Sequence, residues 1–171
     1  MIRLLTGSTH TGKTLLAQRL LERHGAPYLS IDHLKMGLIR SGMCPLTPES
    51  PDEALTAVLW PVVREIVKTA VENGQSLTVE GCYIPFNWRE DFDASCLPHI
   101  RFLCLVFSEA SIRTRFDAIQ THANAIERRK DDSFCTMELL LAENRRNLEA
   151  CRRRGLPYYL IDGPYAPPLD W

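Results

Sequence analysis

The first residues of the chain constrain its fold more than any other segment. Residues 7–14 read GSTHTGKT and fit the pattern G-x-x-x-x-G-K-[ST] at every fixed position. An apolar run from Ile2 to Thr6 precedes this segment, and leucines at helical spacing follow it as far as His24 and Gly25. This order predicts a buried strand, a glycine-containing loop and an amphipathic helix. Inward-pointing backbone N–H groups and the helix N-terminus would make such a loop a phosphate-binding site.

We therefore predict that a nucleoside triphosphate contacts this loop. Lys13 would neutralise the β- and γ-phosphates, and the hydroxyl of Thr14 would ligate Mg²⁺. His10 is expected to contribute its backbone rather than to act as an acid or base. The alternative is a glycine turn that carries a surface lysine. The predicted nucleotide-binding residues are Gly7, Thr9, His10, Thr11, Gly12, Lys13, Thr14 and Leu15.

The rest of the chain alternates predicted strands with predicted helices. Further strands are expected over Tyr28 to Ile31, Ser76 to Val79, Ile100 to Phe107 and Tyr158 to Ile161. Helices are expected over Asp32 to Arg40, from Pro51 to Asn73, and through most of Glu109 to Arg154. The alternation predicts an α/β fold with a parallel sheet covered on both faces. The 171 residues suit one domain that spans 1–171.

Composition excludes several classes of protein. The formal net charge of -1 argues against a broadly basic nucleic-acid binder, so nucleic acid is not an expected partner. No uncharged apolar run approaches the roughly 20 residues that cross a bilayer, and no export leader is recognisable. The six cysteines show no C-x-x-C spacing, so we expect reduced thiols and neither zinc nor disulfides. A cytoplasmic location without a membrane partner is the resulting expectation.

The sequence also narrows the class of nucleotide-binding protein. The GTPase patterns N-K-x-D and D-x-x-G are absent, and the third predicted strand runs into Leu77-Thr78-Val79-Glu80-Gly81. In its Walker A loop and element order the chain resembles the small P-loop kinases, including adenylate, shikimate and gluconate kinases, chloramphenicol phosphotransferase and the zeta-toxin kinases. The resemblance implies a three-layer fold with strand order 2-3-1-4-5, a helical lid within about residues 109–150, and the use of ATP and Mg²⁺.

Two carboxylates follow predicted strands that neighbour the loop. Asp32 follows the second strand, where the resemblance implies a residue that meets the phosphate acceptor and takes its proton. Asp32 also suits the N-cap of a helix that begins at His33. Glu80 ends the third strand, where it would hold a Mg²⁺-bound water with Thr14 or contact the acceptor. A structural carboxylate bonded to loop amides is the alternative for Glu80.

Basic residues are concentrated late in the chain, since ten of the 20 lie between Arg113 and Arg154. In the resembling kinases this stretch is the lid, so Arg128 and Arg129 are predicted to stabilise the transferring phosphoryl group. Arg113 and Arg115 are weaker candidates for the same contact. The helix further along also bears glutamates, which favours exposed ion pairs for Arg145, Arg146, Arg152, Arg153 and Arg154.

The acceptor is the least constrained part of the hypothesis. Lys35, Arg40 and Arg89 would read a phosphate or carboxylate on it, or be ordinary solvated charges. Tyr83, Phe86 and Trp88 would stack on a ring, or be packed aromatics. We predict a phosphotransferase that moves the γ-phosphoryl group of ATP to a hydroxyl or phosphate of a small molecule, as a monomer or homodimer. The alternatives are a nucleotide-binding regulatory module and a polynucleotide 5′-kinase that uses Arg152, Arg153 and Arg154.

Overall fold

The computed structural model describes residues 1–122 and 135–171. The strands are β1 (Ile2–Gly7), β2 (Tyr28–Ser30), β3 (Leu77–Glu80), β4 (Ile100–Phe107) and β5 (Tyr158–Ile161). The helices are α1 (Lys13–His24), α2 (Ile31–Arg40), α3 (Asp52–Glu72), α4 (Glu109–His122) and α5 (Met137–Arg154). Short 3₁₀ turns lie at Trp88–Asp91 and Leu97–His99.

The five strands form one parallel sheet in the order β2-β3-β1-β4-β5. The predicted α/β class and the predicted strand order are both confirmed. β1 lies at the centre, where Leu5 is in register with Glu80 of β3 on one side and with Leu103 of β4 on the other. Because all strands run in the same direction, their carboxyl ends meet at a single edge of the sheet.

Alternation of side chains along β1 builds a core on each face of the sheet. Ile2 and Leu4 join a large cluster with α3 side chains such as Leu59 and Val63. Leu5 points the other way and packs with the α1 residues Leu16 and Leu20. The sheet is therefore covered by helices on both faces, as the alternation of predicted elements indicates.

The largest departure from the predicted boundaries is at the start of α2. The helix begins at Ile31 and Ser30 precedes it, so Asp32 lies in the first turn and is not the N-cap. The prediction of Asp32 as the N-cap of a helix from His33 is therefore wrong, because β2 ends one residue earlier than its apolar run. A carboxylate in the first turn still gains from the partial positive charge of the helix N-terminus.

The remaining expectations concern thiols and membranes. All six cysteines are free, in agreement with their spacing in the sequence. Within the described ranges, none of the helices combines the length and the apolar character needed to cross a bilayer.

Gly81 directly follows β3 and is packed so closely that it leaves no room for a side chain. Its N–H donates to the Leu5 carbonyl at 3.1 Å, and its carbonyl accepts from the Thr6 hydroxyl at 2.9 Å. A Cβ atom added at Gly81 would lie 2.9 Å from Cβ of the fully buried Ile31. Since both backbone groups are bonded, the residue cannot move away from this contact.

We expect Gly81→Ala to lower the free energy of unfolding by about 1–3 kcal/mol, because it overpacks the core beside β2 and β3. The matched control is Gly37→Ala in α2, where nothing lies within 4 Å of an added Cβ. That change should raise the free energy of unfolding by up to about 1 kcal/mol, because alanine favours the helix. Urea unfolding followed by circular dichroism measures both, and equal effects of the two variants would contradict the packing argument.

Candidate active site

A cavity of about 320 Å³ opens at the carboxyl edge of the sheet, beside the loop that joins β1 to α1. Open parallel sheets characteristically bind ligands at this edge. The cavity brings together residues that the sequence analysis singled out from three separate segments. Those residues are His10, Gly12, Lys13, Thr14, Leu15, Asp32 and Glu80.

Hydrogen bonds within the loop converge on the carbonyl of Ser8. The Thr11 hydroxyl and the Lys13 ammonium group both donate to this oxygen, each at 2.8 Å. His10 takes a left-handed backbone conformation with φ of 64°, and its Nδ1 lies 2.8 Å from the Thr9 hydroxyl. These contacts fold the loop back on itself and direct the Lys13 side chain over it.

Lys13 is a buried cation, with only 8% of its surface exposed. Burial by itself lowers the pKa of Lys13, but its interactions with Cys82, Glu80 and Asp32 outweigh burial and raise the pKa above its ordinary value. Burial raises the pKa of the Cys82 thiol in turn. Lys13 therefore remains charged at neutral pH and carries a fixed positive charge at the cavity wall.

The Thr14 hydroxyl lies 3.4 Å from Oε1 of Glu80, which is the last residue of β3 and is 1% exposed. A hydroxyl beside a carboxylate is the hard oxygen donor set that Mg²⁺ prefers. Across residues 1–122 and 135–171, no group of three or more His, Cys, Asp or Glu side chains is arranged to hold a metal ion. These two donors thus fit an ion that takes its other ligands from phosphates and water.

Asp32 faces the cavity and is held by Lys35, three residues later on α2. The Lys35 ammonium lies 2.7 Å from Oδ1 of Asp32 and donates to the Tyr83 hydroxyl at 2.9 Å. Burial raises the pKa of the Tyr83 phenol to about 12, although Lys35 opposes the rise. Lys35 therefore fixes the orientation of the Asp32 carboxylate, while the Asp32 side chain keeps 47% of its surface exposed.

Two residues of α5, Glu143 and Asn144, lie beside the first half of the loop. Nδ2 of Asn144 donates to the Ser8 hydroxyl at 2.7 Å, and its Oδ1 accepts from the Phe107 N–H at 2.8 Å. The Thr9 backbone lies near the Glu143 carboxylate and favours its charged form. Burial and the nearby Asp52 nevertheless raise the pKa of Glu143 above its ordinary value. α5 is thereby joined to both the loop and the end of β4.

The other predicted acceptor contacts and aromatics lie elsewhere. Arg40 is exposed at the end of α2, and the Arg89 guanidinium lies 5.5 Å from the centre of the Trp88 ring. Trp88 is 2% exposed and stacks on Phe102 in the core. Trp88 therefore packs inside the protein. A contact of Arg40 or Arg89 with an acceptor stays a prediction.

The predicted lid contacts divide into two groups. Arg128 and Arg129 lie outside the described residues. Arg115 lines the cavity and donates to the Gly163 carbonyl, whereas Arg113 is exposed and lies 2.7 Å from Glu109. The five α5 arginines are exposed. Arg145 forms an ion pair with Glu109, and Arg154 forms one with Glu90.

Sequence reasoning missed Asn144 and Tyr165, which both contact the loop. Asn144 lies four residues from Leu140 and from Leu148, on the apolar side of α5. A polar amide at that helical spacing was a readable signal of a buried hydrogen bond. Tyr165 follows Gly163 and Pro164 in a segment where the prolines were the only evident pattern. Its contact with Gly12 crosses 153 residues and has no local signal.

No family model matches the chain, and no curated protein matches it in sequence. Solved structures do match it in fold. Shikimate kinase from Bacteroides thetaiotaomicron superimposes with a TM-score of 0.55 at 12% identity, over 95% of this chain and 85% of that one. Deoxyadenosine kinase from M. mycoides gives a TM-score of 0.55 at 11% identity, over 95% of this chain and 90% of its own.

A gluconokinase from Sinorhizobium meliloti gives a TM-score of 0.53 at 18% identity, covering 98% of this chain and 83% of the gluconokinase. All three neighbours are small-molecule kinases. The chain therefore has the fold of the P-loop small-molecule kinases, and the resemblance seen in its sequence is confirmed at the level of the fold.

The hydrogen bonds of Asn144 to Ser8 and Phe107 lead to a stability prediction. Asn144→Leu keeps the side-chain volume but leaves the Phe107 N–H and the Ser8 hydroxyl without their amide partner. We expect the free energy of unfolding to fall by about 2–4 kcal/mol, because buried polar groups become unsatisfied. Urea denaturation measures this.

Asn147→Leu, on the same helix and half-buried, is the matched control and should cost less than about 0.5 kcal/mol. A cycle with Ser8→Ala should be non-additive, because both changes remove the same bond. Simple additivity would show that the Ser8 bond contributes nothing.

Proposed function

We propose that this chain is an ATP-dependent phosphotransferase that moves the γ-phosphoryl group to a hydroxyl or phosphate of a small molecule. The observation that carries the proposal is the shared cavity of Lys13 and Asp32, a fixed cation on the phosphate-binding loop and an oriented carboxylate. A phosphoryl-transfer site needs both, one for the donor phosphates and one for the attacking group. The fold shared with small-molecule kinases supports the same reaction class.

Each residue has a distinct role in this mechanism. The loop amides and Lys13 bind the β- and γ-phosphates, and Lys13 offsets the charge that develops during transfer. Asp32 accepts a hydrogen bond from the acceptor hydroxyl and takes its proton as the new bond to phosphorus forms. Lys35 holds Asp32 in position, and Arg128 and Arg129 would contact the transferred group.

Thr14 and Glu80 are the residues that would hold Mg²⁺. Mg²⁺ would supply positive charge there, which would reduce the repulsion felt by an approaching nucleophile. Glu80 carries the negative charge for this site on a strand end that cannot shift easily, because β3 is paired on both sides. Arg115, which lines the same cavity, stays a weaker candidate for contact with the transferred group.

Removal of the Lys13 charge should weaken ATP binding. In Lys13→Met we expect the dissociation constant for ATP with magnesium to rise by at least tenfold, because charge-assisted bonds to phosphate are lost. Isothermal titration calorimetry measures the change. Lys68→Met removes a surface lysine that pairs with Glu65 on α3 and should bind ATP like wild type. Absence of ATP binding by wild type, or equal binding by Lys13→Met, would refute the proposed donor.

Loss of the Asp32 carboxylate should slow transfer without loss of ATP. With the acceptor that gives the fastest ATP consumption in a library of nucleosides, sugars, hydroxy acids and antibiotics, Asp32→Asn should lower kcat by about 10²- to 10⁴-fold. Its dissociation constant for ATP should stay within about threefold of wild type, because Asp32 is placed on the acceptor side.

The exposed Asp117→Asn on α4 serves as the control and should leave both quantities unchanged. If kcat of Asp32→Asn stays within twofold of wild type, Asp32 is not the base. A chain that binds ATP but consumes none with any acceptor would instead be a nucleotide-binding regulatory module. Activity confined to nucleic-acid ends, with affinity that falls steeply as salt rises, would favour a polynucleotide 5′-kinase.

A further inference from the structure

The segment that follows β5 runs back over α1 and is fixed there at several points. The Arg23 guanidinium lies 3.0 Å from the Asp170 carboxylate, and Nε2 of His24 lies 3.0 Å from the Leu169 carbonyl. The side chains of Leu169 and Trp171 pack against the core cluster on the α1 face of the sheet. These contacts hold the last residues of the segment 162–171, here named the tail, against the end of α1.

Tyr165 of the tail reaches the phosphate-binding loop itself. Its hydroxyl donates to the Gly12 carbonyl at 2.6 Å, and the Arg19 guanidinium lies 5.5 Å from the centre of its ring. A Cβ atom at Gly12 would lie 2.8 Å from the Tyr165 ring, so the ring is seated directly against the loop backbone. Gly12 has φ of 77°, in the left-handed region that glycine adopts without strain.

The Gly12 carbonyl belongs to the same peptide unit as the Lys13 N–H. Because the described peptide bonds are trans, that carbonyl and that N–H point in opposite directions. The Gly12 oxygen also accepts from the Leu16 N–H at 2.9 Å, as the first hydrogen bond of α1. The Tyr165 hydroxyl therefore gives the Gly12 carbonyl a second hydrogen bond, from outside the helix. The N–H of the same peptide belongs to Lys13, at the start of α1.

The Tyr165 hydroxyl is suited to remain a donor. Burial raises the pKa of Tyr165 well above its ordinary value, and the nearby Arg19 opposes this only in part. The phenol therefore keeps its proton at neutral pH. The ring also lines the cavity that holds Lys13 and Thr14, so this hydrogen bond lies beside the site and not on a remote surface.

We infer that Tyr165 is a positioning residue for nucleotide binding, and that its hydroxyl fixes the Gly12–Lys13 peptide so that the Lys13 N–H is presented to a phosphate. The inference rests on the proposed function, since it assigns a residue to the ATP site. A loop whose donors are already oriented loses less conformational entropy when an anion binds. The tail thereby contributes to affinity for ATP without itself carrying a positive charge to the phosphates.

The test is Tyr165→Phe, which removes the hydroxyl and keeps the ring, its packing at Gly12 and its contact with Arg19. We expect the dissociation constant for ATP with magnesium to rise about fivefold, as befits one lost hydrogen bond. The melting temperature should stay within about 2 °C of the control, because the packing is unchanged. The control is Tyr159→Phe, a tyrosine of the same cluster that is bonded to no loop atom among the contacts described.

Hydrogen exchange measured by mass spectrometry, without nucleotide, provides a second reading. In Tyr165→Phe, amides in a peptide that covers residues 8–16 should exchange faster than in wild type, while a peptide from β4 should not change. This measurement does not depend on ATP and remains informative if the variant loses some stability. Equal acceleration in both peptides would indicate general loosening and would overturn the inference.

The outcomes separate the inference from the function it rests on. If wild type fails to bind ATP, the proposed function fails and the positioning role fails with it. If wild type binds ATP and Tyr165→Phe binds it within twofold, the function stands and the role of Tyr165 is refuted. Equal weakening by Tyr165→Phe and Tyr159→Phe would likewise refute it, because it would show an effect of packing alone.

Discussion

The buried charge of Lys13 is the constraint around which this edge of the sheet is organised. Moving an ammonium group out of water costs several kcal/mol unless polar partners replace the solvent. Here the Ser8 carbonyl supplies a direct hydrogen bond, and the carboxylates of Glu80 and Asp32 supply compensating charge. These partners come from three different segments, so the compensation is complete only when β1, β2 and β3 are assembled.

The strand order is what allows that assembly. β3 lies between β2 and β1, which brings the last residue of β3 next to the loop and places the start of α2 one strand further away. Glu80 is therefore buried beside Thr14, whereas Asp32 lines the same cavity and stays half-exposed. The difference in burial would suit the two proposed roles, because a metal ligand benefits from rigidity and a group that meets an acceptor needs access.

The sequence predicted those parts of the site that depend on local spacing. The loop, Asp32 and Glu80 all follow apolar runs, and strand ends in a parallel sheet converge whatever the distance along the chain. For Lys35, the sequence showed the spacing from Asp32 but not the ion pair that results from it. A lysine three residues after an aspartate on a helix can pair with it, and here it does so.

The contacts of Asn144 and Tyr165 could not be predicted from local spacing, because their partners are 136 and 153 residues away. Such contacts are set by how α5 and the tail pack on the finished sheet, and packing depends on shape more than on pattern. The boundary between β2 and α2 was misplaced for a related reason. Ile31 is apolar and β-branched, so it reads as a strand residue, yet its burial against Gly81 is achieved from the first turn of a helix.

Under the proposed function, the existing partners of the loop would also reduce its affinity for a phosphate. The Lys13 ammonium donates to the Ser8 carbonyl, and the Glu143 carboxylate lies near the Thr9 backbone. Under the proposed function, a phosphate bound by Lys13 would replace this hydrogen bond, so its binding free energy would be the difference between the new and the old bond. Burial and the nearby Asp52 raise the pKa of Glu143, which would make its protonation beside a bound anion less costly.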